Sequence, residues 1–184
     1  MNFSSSGSGA IKYAASFAPY LAIFLLIRFA AEACMHSCMQ LLLVVVPCFL
    51  LYVGMSLATP FYAFLLVKKC YAIEPKLPVY SFTVFLFLFA SLIVCLGQYV
   101  FFAYLSPDYI DNLYLNLLQN IQSVSTAYPD LAASFQTIAD GLVLPTPLQL
   151  ATDSIWNSVL WGAILGMIYA LMIRYKQKKN NNLS

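Results

Sequence analysis

Residues 79–105 read VYSFTVFLFLFASLIVCLGQYVFFAYL, a run without one charged side chain. About 20 apolar residues in a helix cross the roughly 30 Å hydrocarbon core of a bilayer. This stretch alone therefore takes the chain out of the soluble class. Working outward from it, three more apolar runs lie at about 11–33, 41–67 and 155–173. Composition agrees: 62% of the chain is hydrophobic and 9% charged, against about 25% charged in an ordinary soluble domain. The expected fold is all-α, a polytopic membrane protein with four transmembrane helices forming one domain over residues 10–175. A flexible polar leader (1–9) is expected before it and a basic, polar cytoplasmic tail (176–184) after it.

Charge orients these spans. Lys12, Lys68, Lys69, Lys76, Arg174, Lys176, Lys178 and Lys179 fall on connectors of one parity, which with Glu74 makes that side net +7. Glu32, Asp108, Asp111, Asp130, Asp140 and Asp153 fall on the other, which with Arg28 is net −5. Lys and Arg next to spans stay on the cytoplasmic side. Both termini are thus expected inside and the acidic connector, 106–153, outside. The overall charge of +2, with basic residues confined to span ends, gives no nucleic-acid footprint. The basic tail from Arg174 to Lys179 is expected to pin span 4 at the interface, with attraction of anionic head groups as the alternative.

The first run is expected to be retained rather than cleaved, because Arg28 and Glu32 interrupt the small neutral residues a processing site needs. Its uncharged core, Tyr13 to Ile27, is about 22 Å long at 1.5 Å per residue, so Lys12 and Arg28 must snorkel. Pro19 in span 1, and Pro47 and Pro60 in span 2, each remove a helical hydrogen bond and free a carbonyl inside the bundle. Glu74-Pro75-Lys76-Leu77-Pro78 reads as a stiff turn between spans 2 and 3.

Span 3 ends in an aromatic collar of Tyr99, Phe101, Phe102 and Tyr104, suited to the interface. Gln98 lies inside that collar and is expected to hydrogen-bond a neighbouring helix. Ser106-Pro107-Asp108 predicts a helix start with Ser106 as N-cap. Ile110, Leu113, Tyr114, Leu117, Leu118 and Ile121 then form an apolar face. This amphipathic helix is expected to cap the bundle or lie at the interface. Leu131, Phe135, Ile138 and Leu142 mark a second, shorter one. In span 4, Ser154, Ser158, Gly162, Gly166 and Ala170 recur every four residues, a small-residue stripe that lets two backbones approach. Packing within the chain is expected for it, with contact to a second protomer as the alternative.

Sites are sparse. Cys34, Cys38, Cys48, Cys70 and Cys95 all precede the acidic connector, which is therefore not a disulfide module. Cys34 and Cys38 flank His36, the only histidine, but no second ligand pair exists, and no metal and no cofactor are expected. Arg28, Glu32, His36 and Gln40 are spaced by four. A hairpin turn must interrupt them, which leaves Arg28–Glu32 as a candidate structural ion pair at the membrane edge and His36 and Gln98 as weak candidates. Metal-protease, nucleophile-elbow and paired intramembrane aspartate patterns are absent, so no enzyme is expected.

The order of parts carries a resemblance. A short-looped pair of spans leads to a third ending Gly97-Gln98-Tyr99-Val100-Phe101-Phe102-Ala103-Tyr104-Leu105-Ser106-Pro107-Asp108-Tyr109. A helical acidic connector and a final span with a Lys-rich tail follow. This resembles a family of bacterial four-span inner-membrane proteins, domain of unknown function 4199, over roughly residues 10–175. The resemblance implies an inner-membrane location and no activity. The layout is also similar to tetraspanins, whose Cys-Cys-Gly loop signature is missing. Two roles are weighed. The first is an accessory or assembly subunit of a larger cell-envelope complex, for instance one handling polyprenyl-linked sugars, with the bilayer and a protein partner or second copy as contacts. The other is a dimeric small-solute transporter using Glu32, similar in size to small multidrug exporters.

Overall fold

The computed structural model describes residues 4–37, 41–127, 137, 141 and 144–181. Five helices take in most of these residues: α1 (Ser4–Ser37), α2 (Leu42–Ile73), α3 (Val79–Val100), α4 (Tyr109–Ala127) and α5 (Pro147–Asn181). One π-helical turn, Phe101–Leu105, prolongs α3. Stretches of α1, α2, α3 with its π turn, and α5 are long and apolar enough to cross a membrane. The protein is an all-α, multi-pass membrane protein.

Helix α3 is the axis of the bundle. It packs on α1 along one side and on α5 along the other, and α2 lies chiefly against α1. Phe82, Thr83, Leu86, Phe87, Ala90 and Ser91 of α3 are buried. Two of these are polar, and each satisfies itself on its own helix. Thr83 Oγ1 donates to the Val79 carbonyl at 2.8 Å and Ser91 Oγ to that of Leu88 at 2.8 Å, the usual solution where no water reaches.

Bulky side chains on α3 demand small ones opposite. On α5 the stripe provides them. A Cβ at Gly162 would lie 2.7 Å from Phe87 Cβ, and one at Gly166 would lie 3.2 Å from the Tyr80 carbonyl oxygen and 3.3 Å from Thr83 Cβ. The glycines thus pack inside the chain, on α3, with Ala170 against the same core. A second stripe, not singled out in the sequence, belongs to α1: Ala10, Ala14, Ala18 and Ala22 are all buried in that core. Phe17 of α1 meets Phe82 edge-on at 6.3 Å, and Phe24 stacks on Tyr62 of α2 at 4.8 Å.

Several boundaries differ from expectation. The leader is helical from Ser4, because nothing before Pro19 stops span 1 from propagating backward through residues that tolerate a helix. Span 2 continues to Ile73, where the Glu74 N–H closes on the Cys70 carbonyl at 3.0 Å. Span 4 belongs to a helix that starts at Pro147 rather than near Ile155. Thr146-Pro147-Leu148-Gln149 is a reciprocal cap. The Gln149 N–H donates to Thr146 Oγ1 at 3.2 Å, and the Thr146 N–H donates to Gln149 Oε1 at 2.8 Å. Proline occupies the first helical position, where its missing N–H is harmless. The helix then runs through polar Thr152 and Asp153, with Ala151 fully buried and Thr152 Oγ1 donating back to the Leu148 carbonyl at 2.9 Å.

Helix α4 begins at Tyr109, three residues after the expected cap. The Ser106 N–H closes the π turn on the Phe101 carbonyl at 2.9 Å and the Ser106 carbonyl accepts a turn bond from the Tyr109 N–H at 3.1 Å, so the first helical bond falls to the Asp108 carbonyl, which accepts from the Asn112 N–H at 2.9 Å. Ile110 is buried, but Leu117 further along the same apolar face is exposed. Tyr114, Leu118 and Ile121 of that face are partly buried, so the face is fully covered only at Ile110 among its described residues. The second amphipathic stretch, Leu131 to Leu142, lies outside the described residues.

Close packing on α3 sets a clear mutational contrast. Gly162→Ala drives a methyl into the root of the Phe87 side chain, which cannot swing away, and should lower stability by about 1–3 kcal/mol. Gly166→Leu, against backbone, should be at least as damaging. Ile164→Leu, off the stripe and partly exposed, should be nearly silent. Unfolding curves in detergent micelles check all three.

Candidate functional site

Polar side chains converge at one level of the bundle. Arg28 on α1 lies 16 residues from Lys12, and Ser158 on α5 lies 16 residues from Arg174. At 1.5 Å per residue both are about 24 Å from the basic end of the bundle. There, α1, α3 and α5 enclose a chamber of about 90 Å³ into which Arg28, Glu32, Gln98, Ser154, Asn157 and Ser158 project between Leu25, Phe29 and Val94. The helical periods bring them together: Arg28 and Glu32 are one turn apart on α1, and Ser154, Asn157 and Ser158 are i, i+3, i+4 on α5.

Arg28 and Glu32 do not form the expected ion pair. Among the described residues the guanidinium closes on no carboxylate. Its carbon instead lies over the Tyr52 ring of α2, 5.2 Å from the centroid. Such a cation–π contact is worth about 0.5–2 kcal/mol depending on desolvation. The i, i+4 spacing fixes adjacency of the two Cα–Cβ bonds and not the rotamers, and a second helix, α2, supplied the ring that Arg28 contacts. Gln98 also departs from expectation: its Oε1 is buried and accepts no hydrogen bond. The predicted bond to a neighbouring helix is not made by that atom.

Beside the chamber, sharing Leu25, Arg28, Asn157 and Ser158 with it, runs a cleft of about 430 Å³ between α2 and α5. Its rim is apolar: Leu57 and Phe61 on one helix, Trp161 on the other, all exposed. Phe87 of α3 forms part of its floor. Pro60 shapes this wall, since without an N–H it leaves the Ser56 carbonyl free of its helical donor. Toward the basic end the cleft is stopped by a tie. Tyr169 of α5, buried and ring-packed on Phe64 at 5.2 Å, donates its hydroxyl to the Pro60 carbonyl at 2.5 Å. Beyond the tie a second space of about 510 Å³ separates the same two helices between Lys68, Tyr71, Lys176 and Gln177, with Gln177 Nε2 donating to the Tyr71 hydroxyl.

Toward the acidic end, Phe29 meets Phe101 and Phe102 edge-on at 5.3 and 5.6 Å, and both rings meet Tyr109 at 5.6 and 5.5 Å. These rings come together because the π turn shifts the collar by a fraction of a turn relative to an α-helix, a distortion frequent at functional sites. Burial first, and then the Glu32 carboxylate, push the Tyr109 phenol up to about 12.

Of the other candidates, Cys48, Cys70 and Cys95 are free thiols. Cys38, Gln40 and the His36 side chain lie outside the described residues. No group of three or more His, Cys, Asp or Glu within ligating reach occurs among the described residues. Sequence reasoning missed Tyr52, Asn157, Trp161 and Tyr169. A polar trio at i, i+3, i+4 just before the glycines was the available signal for Asn157. The other three are apolar or aromatic residues in apolar spans and carry no such mark.

A family model described as "Protein of unknown function (DUF4199)" matches residues 2–175. The chain belongs to that family. The match takes in the whole chamber and cleft. No curated protein and no solved structure matches the chain.

Tyr109 gives the site a pH signature. A phenol raised from an ordinary value near 10 in the unfolded chain to about 12 in the fold adds stability that is fully present below pH 10 and is lost as pH rises toward 12. Tyr109→Phe should therefore flatten the stability–pH curve between pH 10 and 12, measured by thermal unfolding in micelles at matched ionic strength.

Proposed function

We propose that this protein is an accessory or assembly subunit of a larger cell-envelope membrane complex, resident in a bacterial inner membrane with both termini in the cytoplasm. The observation that carries the reading is the uncovered face of α2. Only 6% of its apolar window is buried, against 44% for α3. Leu43, Val46, Leu50, Leu57, Phe61 and Leu65 lie on this face at three-and-four spacing and are exposed, Leu43 by 89%. Gly54 sits in the middle of the row, and a Cβ there would meet nothing within 4 Å. Glycine in a membrane helix supports close approach of another helix, and within this chain Gly54 meets none. An enzyme of polyprenyl-linked sugar metabolism is one partner class consistent with a small envelope helper.

The orientation is supported by the charge asymmetry, +7 at the basic end against −5 at the acidic end. A dimeric transporter is the second reading, favoured by Glu32 lining a polar chamber. Against it, Glu32 lies at the outer part of the bundle rather than near the midplane, where transporter sites are found.

Gly54→Leu separates these readings. Because nothing in the chain opposes the added side chain, the variant should fold with unchanged stability. It should also lose at least most of a partner that co-purifies stoichiometrically with the parent in mild detergent, as read by mass spectrometry. A parent that purifies only as a homodimer, with a proton-dependent phenotype abolished by Glu32→Gln, would replace the subunit reading with transport.

Topology is checked separately with single cysteines on a Cys-free background. An impermeant maleimide applied from outside the inner membrane should label Asn116→Cys on α4 and spare Lys178→Cys. Labelling at 178 from outside would reverse the orientation.

A further inference from the structure

The chamber gathers two opposite charges that do not close on each other and one buried acceptor that the chain leaves unmatched. Arg28 faces an aromatic ring and no carboxylate. Gln98 Oε1 is fully buried with no donor. Glu32 borders the same space without closing on Arg28. A buried acceptor left without a donor is unfavourable, and Arg28 and Glu32, both partly buried, line the same chamber, so a ligand with matching groups completes the arrangement. The ligand must bring an anion to Arg28. One helical turn toward the acidic end, it must also bring a cation with N–H donors to Glu32 and Gln98. On α1 those two positions are i and i+4, about 5–6 Å apart at Cβ. Asn157 and Ser158 add an amide and a hydroxyl at the anion end, where chamber and cleft meet. From that junction the apolar cleft runs about two turns further into the bundle, past Trp161 to Leu165, and its rim is exposed along the α2–α5 seam. At about 430 Å³ it lies in the range of ligand-sized pockets, roughly 300–1,000 Å³.

We propose that chamber and cleft together bind one molecule of phosphatidylethanolamine. Its phosphate rests on Arg28, its ammonium lies between Glu32 and Gln98, and one acyl chain lies along Phe61, Trp161 and Leu165. Two methylenes separate phosphate from ammonium in this head group, which suits the one-turn offset of the two charges. A choline head group carries a cation without N–H donors and leaves Gln98 Oε1 unpaired. A glycerol head group brings no cation for Glu32. The seam admits the lipid sideways from the bilayer, so no route through water is needed. This inference does not rest on the accessory-subunit reading, and either can fail alone.

The test uses the purified full-length chain in mild detergent, titrated with phosphatidylethanolamine, phosphatidylcholine and phosphatidylglycerol of identical acyl chains. Retained lipid is read by native mass spectrometry and the melting temperature is read in parallel. The ethanolamine lipid should bind roughly tenfold or more tightly than the choline lipid, the scale set by one buried acceptor losing its donor, and should raise the melting temperature. Glu32→Gln should erase the ethanolamine-over-choline preference while the chain still folds. Gln98→Met, close in volume and without the acceptor, should weaken it and serves if Glu32→Gln does not fold. Arg28→Gln should weaken all three lipids together. Equal binding of ethanolamine and choline lipids, a preference that survives both Glu32→Gln and Gln98→Met, or a chamber holding only water with no lipid retained would each overturn the proposal.

Discussion

The close approach of α3 to its two neighbours is the constraint from which the rest follows. Lipid tails are as apolar as the helices they surround, so helices associate through shape rather than through exclusion of water. Here the shape is asymmetric. Phe82, Leu86 and Phe87 project from the central helix, and the alanines of α1 and the glycines of α5 retreat to receive them. With two sides of α3 occupied in this way, α2 is left to pack on α1. It reaches α5 mainly through the Tyr169 and Tyr71 hydroxyl contacts. The open seam between α2 and α5 is the geometric remainder of a bundle organised around one axis.

That remainder coincides with the polar level of the bundle. Charged side chains at this depth are expensive, and here Arg28 and Glu32 share one small chamber without closing on each other. Arg28 finds a ring, Glu32 lies beside a cluster of aromatic edges, and Gln98 contributes an amide whose oxygen remains unmatched. The same helices that give α3 its tight packing near the midplane thus carry the chain's least settled chemistry one or two turns further out.

How much of this is legible in the sequence depends on the range of the interaction. The four spans and the place of the glycine stripe follow from local spacing, and the structure has both. The alanine stripe at 10, 14, 18 and 22 obeys the same period, but alanine also counts as ordinary apolar filling, so it does not stand out. The start of α5 is written in Thr146-Pro147-Leu148-Gln149, yet Thr152 and Asp153 make the next turn look too polar for a span. The Arg28–Glu32 pair fails for a different reason. Its spacing is a property of one helix, whereas the Tyr52 ring that takes up Arg28 comes from another. The chamber and cleft require knowing how α1, α3 and α5 face one another, and no local pattern encodes that.

The position of the glycine stripe in the last helix has a bearing on how the chain is built. Helices emerge from the ribosome in order, and α1 and α2 enter the bilayer as a hairpin whose alanine face has nothing to receive until α3 arrives. Even then α3 has cover on one side only. Its Phe87 and Thr83 surface waits through the whole acidic connector for Gly162 and Gly166. A nascent chain halted anywhere before residue 147 therefore carries a large unsatisfied helix surface within the membrane, open to quality-control proteases and to wrong partners alike. The close fit of the glycine stripe on α3 is thus the last of the bundle's helix contacts that synthesis allows to form.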